Sequence, residues 1–299
     1  MSLPTATIVY YIVEPVIAFL YGGLVLRIAT SPNERLRSPF FTFFTTTGIC
    51  GISNILGLTP LRIMKNWLRL GPTWSWVMTT SNFISASAEL GQFLGMTLIL
   101  LHRFTVIHHA SHLDKFWSKR SIVVLVCTQF VLPLLIHCYS LWTRGQYSKS
   151  IDDSWSFTPP VELNVRLLPI IHVPVQISKQ INASIGFLYI VAALLLNTFS
   201  SYGHMAKEPD LRRVEARFLY YCIATSLTNG AFALFQLTWA LAHMMGSSFG
   251  VFPATWYIWV NSAATFANPI LLLLLSGETR ASLYRQKAST VHNITRPYI

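Results

Sequence analysis

Residues 74–101 read W-S-W-V-M-T-T-S-N-F-I-S-A-S-A-E-L-G-Q-F-L-G-M-T-L-I-L-L, an apolar run broken by a single ionisable group, Glu89. A membrane-spanning helix needs about 20 mainly apolar residues, and this run is longer than that. Six further segments of the same kind lie at 8–29, 39–61, 121–142, 180–202, 218–245 and 251–276. The last five contain no Asp, Glu, Lys or Arg, and the first carries only Glu14 and Arg27, expected near its ends where they can reach water. Backbone groups in hydrocarbon must be satisfied within their own segment, so these runs should be helices. A β-barrel would need strict alternation, which is absent. The expectation is an all-α membrane protein: one seven-transmembrane helix bundle over residues 1–299, with a short tail at 277–299.

Composition points the same way. With 53% hydrophobic and 11% charged residues, the chain is far outside the range of a soluble domain. Its net charge of +11 is spread over short loops between spans, which suits topology and attraction to anionic lipid rather than nucleic-acid binding. If the N-terminus is outside, Arg27, Arg35, Arg37, Arg103, Lys115, Lys119, Arg120, Lys207, Arg212, Arg213, Arg217, Arg280, Arg285, Lys287 and Arg296 fall on the cytoplasmic side. Arg62, Lys65, Arg69, Arg144, Lys149, Arg166 and Lys179 fall on the other, four of them in the longest loop, where the bias counts least. An N-outside, C-inside orientation follows. The opening M-S-L-P-T-A-T has no basic region or cleavage site, so the first helix is expected to act as its own insertion signal.

Cys50, Cys127, Cys138 and Cys222 all fall within predicted helices, so no extracellular disulfide is expected and each is read as a small hydrophobe. Asn182-Ala183-Ser184 is a glycosylation sequon set close to the membrane, and Asn293-Ile294-Thr295 lies on the predicted cytoplasmic tail. The longest connection, 143–179, carries Asp152-Asp153, Trp155, Phe157 and an apolar run interrupted by Pro169 and Pro174, which argue against an eighth span. Its aromatics are expected to fold over the bundle mouth.

An ionisable residue in mid-membrane is expensive and is by default a candidate functional group. Helical spacing sets Ser85, Glu89 and Gln92 on one face, which should point into the bundle. Glu89 can contact a ligand there, or it can act only as an interhelical hydrogen bond, and the sequence leaves both open. Arg103 lies about 21 Å further along at 1.5 Å per residue, and can either face the bundle or snorkel to lipid phosphate. His108 and His112 have metal-pair spacing, but no third ligand follows in register, so no metal and no cofactor is expected. In the last segment, Asn268-Pro269 marks a kink, with Asn229-Gly230 and Pro133 as weaker bends.

Several of these motifs carry a family resemblance. L-I-L-L-H-R-F-T-V-I-H-H-A-S-H-L-D-K-F-W (98–117), V-E-A-R-F-L-Y-Y (214–221), A-N-P-I-L-L-L-L-L-S-G-E-T-R (267–280) and S-P-F-F (38–41) together resemble the nematode serpentine chemoreceptors of the class gamma superfamily, which are G-protein-coupled receptors. His102 stands where that family usually has Asn. The resemblance implies a receptor of the plasma or sensory-cilium membrane. A small, apolar or volatile ligand bound in its outer half would shift helices five to seven, and the inner face would engage a heterotrimeric G protein. Arg103 would be the inner-face contact, with Asn268 and Pro269 part of activation. The ligand pocket would draw on Ser85, Glu89, Gln92, Gln236 and Asn261 among aromatics such as Phe93, Phe232, Trp239, Trp256 and Tyr257. Ser85 stands where amine receptors carry an aspartate, which disfavours an amine ligand. The chain departs from the wider rhodopsin-like pattern in lacking a Tyr after Asn268-Pro269, a proline in helix six, an acid in helix two and a cysteine pair tying helix three to the outer loop.

A small-molecule transporter or a ligand-gated channel is the alternative. Few charges line the bundle for ion-coupled transport, and a channel of the insect odorant-receptor type needs the opposite orientation. No H-E-x-x-H, paired intramembrane aspartates or G-x-S-x-G elbow suggests an enzyme.

Overall fold

The computed structural model describes residues 5–31, 34–63, 72–108, 116–141, 146–149, 155–158, 177–205, 209–244 and 251–275. Seven long helices fill most of these ranges: α1 (Thr5–Ala29), α2 (Pro39–Ile63), α3 (Ser75–His108), α4 (Lys119–His137), α5 (Ile177–Met205), α6 (Pro209–Met244) and α7 (Val251–Leu275). Among the described residues, Pro39–Pro60, Ser75–His108, Lys119–His137 and Ser184–Ser201 are each long and apolar enough to cross a membrane, and Val260–Leu274 is a shorter apolar stretch. The chain folds as an all-α, seven-helix membrane bundle.

Local chemistry sets the helix starts. Pro39 opens α2, where its missing N–H would be unpaired anyway, and Ser38 offers its carbonyl to Thr42 N at 3.1 Å. Ser118 caps α4 by accepting from Ser121 N at 3.3 Å. Two helices outrun their apolar segments by about two turns. α3 continues to His108 rather than ending near Leu101, and α6 starts at Pro209 rather than Phe218. Hydropathy marks the part of a helix that is solvated by lipid, while the helix itself runs on until something stops its ladder. Neither His102-Arg103-Phe104 nor Leu211 to Arg217 contains a breaker. α4 stops earlier, at His137, and passes into a 3₁₀ turn over Cys138–Leu141.

The described part of the long connection adds a small element that helical periodicity does not foresee. β1 (Gln146–Lys149) and β2 (Trp155–Thr158) pair antiparallel, Gln146 opposite Thr158 and Lys149 opposite Trp155. Tyr147, Trp155, Phe157 and Thr158 are β-formers, and Asp152-Asp153 between the strands is turn chemistry, so the signal was present in the sequence. The apolar run at 167–177 lies outside the described residues except for Ile177.

α3 is the axis of the bundle. Its apolar window is 67% buried against 17% for α4, so α3 is lined by protein while α4 turns most of its surface outward to lipid. α2 packs most closely on α3, in antiparallel register that can be read from glycines. A Cβ on Gly57 would lie 2.9 Å from Ser85 N, and one on Gly91 would lie 2.9 Å from Cys50 Sγ, while Gly95 faces Thr47. α4 enters this seam through Gln129, which is 1% exposed. Its Nε2 donates to the Gly91 carbonyl at 3.1 Å and to Thr47 Oγ1 at 3.4 Å, and its Oε1 accepts from Thr46 Oγ1 at 2.8 Å. α5 and α6 pair likewise, with Gly186 against Ala233 and Asn197 Nδ2 donating to Ser226 Oγ at 2.8 Å.

Cys50 and Cys222 are buried, Cys138 is half-buried and Cys127 is exposed on the lipid side of α4; all four are free thiols. Glu14 departs from expectation. It lies ten residues into α1, is 5% exposed, and accepts a hydrogen bond from Ser262 Oγ of α7. Counting from the start of the apolar run places Glu14 near water, but the face it occupies points at α7.

Candidate functional site

The polar face expected on α3 is turned inward. Ser85, Glu89 and Gln92 are all buried, and each meets a different helix. Ser85 Oγ donates to Asn54 Oδ1 of α2 at 2.6 Å, and Asn54 Nδ2 donates in turn to Asn261 Oδ1 of α7 at 3.0 Å. Glu89 accepts from Gln236 Nε2 of α6. Gln92 Oε1 accepts from Thr265 Oγ1 of α7 at 3.4 Å. One side of α3 therefore reaches α2, α6 and α7, and through Ser262 the cluster lies next to Glu14 on α1. In a low-dielectric interior such groups are held where they bond.

One turn below Glu89, the walls become aromatic. Phe93 of α3 stacks on Phe232 of α6, with ring centroids 5.9 Å apart and planes 17° from parallel. Tyr189 of α5 closes the group at 5.7 Å from Phe93. All three rings are buried. Offset stacking of this kind resists shear between helices as well as burying area. A molecule seated between α3, α6 and α7 would thus meet a few fixed polar atoms over an aromatic floor, the common make-up of a small-molecule site.

Four turns along α3 from Glu89 stands Arg103. It is 9% exposed and lies among bundle side chains rather than reaching out to lipid. Glu89 opposite Gln236 and Phe93 opposite Phe232 fix an antiparallel register between α3 and α6, and the same register carried onward sets Arg103 level with Cys222. Beside Arg103, His102 meets the Trp117 ring edge-on at 5.1 Å, and Trp117 Nε1 donates to Thr105 Oγ1 at 2.7 Å, which ties the α3–α4 connection back to α3.

A family model for the serpentine type 7TM GPCR chemoreceptor Srv matches residues 6–288. The chain belongs to that family. Srv corrects the class gamma resemblance at the level of class, while the broader serpentine chemoreceptor assignment stands. The motifs that carried the resemblance, a charged helix-three end and Asn-Pro in helix seven, are each short and weak alone, so they identify the superfamily better than the class. No curated protein matches this Srv-family chain.

In this chemoreceptor chain the Asn-Pro motif is placed inside the bundle. Asn268 Oδ1 accepts from Asn229 Nδ2 of α6 at 3.4 Å, and Asn229 Nδ2 also donates to the Thr225 carbonyl at 2.8 Å. Pro269 is buried and cannot donate to the carbonyl of Thr265, one turn back, whose hydroxyl is the one turned to Gln92. Of the residues expected to line a pocket, Ser85, Glu89, Gln92, Phe93, Phe232, Gln236 and Asn261 come together around α3. Trp239, Trp256 and Tyr257 lie on α6 and α7, and their side chains fall outside the described residues. Sequence reasoning missed Asn54, Ser262, Thr265 and Tyr189. Asn54 had a signal, as the one Asn in α2, whose residues before Arg62 are otherwise apolar or hydroxyl-bearing. The other three have none, because single Ser, Thr and Tyr residues occur throughout the spans. Among the described residues no His, Cys, Asp and Glu cluster could hold a metal.

Proposed function

We propose that this protein is a chemosensory G-protein-coupled receptor, inserted with its N-terminus outside, that binds a small, largely apolar ligand between α3, α6 and α7 and activates a heterotrimeric G protein. Ligand contact falls to Glu89, Gln92, Ser85, Phe93, Gln236, Trp239, Trp256, Tyr257 and Asn261, and coupling to Arg103, Asn268 and Pro269. A plasma or sensory-cilium membrane is the matching location. The observation that carries this reading is the α3–α6 seam. A polar contact (Glu89–Gln236), an aromatic stack (Phe93–Phe232) and a buried arginine (Arg103, level with Cys222 in the same register) line up in that order along α3. A guest that moves α6 at the first of these changes the surroundings of the last, because two packed helices shift as rigid rods. Asn229–Asn268 carries the same movement to α7.

Guanine-nucleotide exchange in membranes holding the full chain and purified heterotrimers tests the proposal, with native protein compared to Arg103→Ala across a panel of small odorants. Exchange should rise with at least one odorant and fall by tenfold or more in the variant. An odorant response that is the same in both would remove Arg103 from coupling, and no exchange under any condition would overturn the receptor reading.

A further inference from the structure

Two buried amides in the α3–α6–α7 site are each half used. Gln236 gives its Nε2 to Glu89, and its Oε1, a hydrogen-bond acceptor, has no partner among the described residues. Asn261 accepts from Asn54 through its Oδ1, and its Nδ2, a donor, has no partner among the described residues. Their relative height follows from the pairing of Asn229 with Asn268. Seven residues, two helical turns, along α6 from Asn229 is Gln236, and the same distance back along antiparallel α7 from Asn268 is Asn261. The two amides thus stand at one level on facing helices, and Phe93 and Phe232 lie about one turn away. Buried polar atoms in a membrane interior are nearly always bonded, so a lone acceptor and a lone donor at one level ask for a single group that supplies both.

We propose that the ligand of this site carries a hydroxyl on a small apolar body, its O–H donating to Gln236 Oε1 and its oxygen accepting from Asn261 Nδ2, with the hydrocarbon part against Phe93 and Phe232. This rests on the receptor reading only for the location of the site. A ketone accepts from Asn261 and leaves Gln236 bare, and a hydrocarbon satisfies neither. One hydrogen bond to a neutral group changes affinity by about tenfold. Hydroxyl should therefore bind about tenfold tighter than carbonyl, and carbonyl about tenfold tighter than hydrocarbon.

The test is thermal unfolding of the purified full chain in lipid nanodiscs, titrated with 1-hexanol, 2-hexanone and hexane, each midpoint referred to that variant's own ligand-free value. In the native chain the alcohol should be the tightest. Gln236→Met removes the bare acceptor and should bring the alcohol down to the ketone, so that their ratio falls to about one. Asn261→Asp keeps the oxygen that faces Asn54 but replaces the bare donor with an acceptor, so alcohol and ketone should both weaken about tenfold with their ratio kept. A purely structural role would weaken all three probes alike in either variant, and either variant alone decides the matter. Equal responses of the native chain to the three probes, shifted or not, would overturn the proposal, as would an unchanged alcohol-to-ketone ratio in Gln236→Met. Alcohol binding with this pattern but without nucleotide exchange would sink the receptor reading and leave this inference in place.

Discussion

Glu89 is the residue at which helix packing and the proposed ligand contact can be told apart. Its oxygen receives the Gln236 amide, a contact between α3 and α6 that any acceptor of the same shape could make. Glu89→Gln keeps that oxygen, whereas Glu89→Leu leaves the Gln236 amide bare in an apolar interior. Interhelical hydrogen bonds in membrane proteins are worth about 0.6 kcal/mol on average and about 1.7 kcal/mol at most. The Leu variant should therefore lose about 1–2 kcal/mol of stability and the Gln variant close to none, read from thermal midpoints and surface expression. If the Gln variant is as unstable as the Leu variant, the acid itself holds the bundle. If it is stable but its ligand response is altered, Glu89 touches the ligand. Glu14 poses the opposite case: a buried acid whose sequence neighbourhood gave no hint of its partner. Its distance from the end of an apolar run was legible, but its direction was not, because one residue on a helix turns the side chain by about 100° and α1 has no strong amphipathic pattern to fix its face.

At the scale of elements, the spans were legible because lipid imposes a single rule on every residue of a segment, while their packing was not, because any small residue can serve as a notch. Gly57 and Gly23 look alike in sequence, each inside an apolar helix. In the structure a Cβ on Gly57 would lie 2.9 Å from Ser85 N and 3.0 Å from Ser81 O, whereas Gly23 has nothing within 4 Å. Backbone cannot rotate away as a side chain can. Gly57→Ala should thus push α2 off α3 and cost about 1–3 kcal/mol, while Gly23→Ala should be neutral or slightly stabilising through helix propensity. Thermal midpoints of the two variants in one detergent check this, and equal midpoints would mean that α2 does not approach α3 at Gly57. The same reasoning explains the Gln129 node. A lone Gln in α4 was unremarkable as sequence, and its four partners became apparent only once Gly91 and Gly95 brought α3 close enough for the side chain to enter.

For the whole molecule, orientation governs every functional statement, since a ligand site toward the α3 N-terminus is useful to a sensory cell only if that end faces out. Consecutive helices run antiparallel, so the start of α1 and the β1–β2 hairpin between α4 and α5 lie on one side of the membrane, and the C-terminal end of α7 lies on the other. The native sequons offer a clean background. Asn182 lies in the opening turns of α5, too near the membrane for a transferase, and in the folded bundle its Oδ1 is 3.2 Å from His137 Nε2. Asn293 belongs to the segment after α7. With the N-terminus outside, the native chain should therefore carry no N-linked glycan. The substitution D152N makes an Asn-Asp-Ser acceptor with Asp153 and Ser154 between the two strands, and should add one glycan, seen as a mobility shift that endoglycosidase removes. The reverse orientation predicts the reverse pattern: a glycan at Asn293 in the native chain and none added by D152N. That result would invert the reading of the basic loops and place Arg103 on the outer side, where it could not meet a G protein.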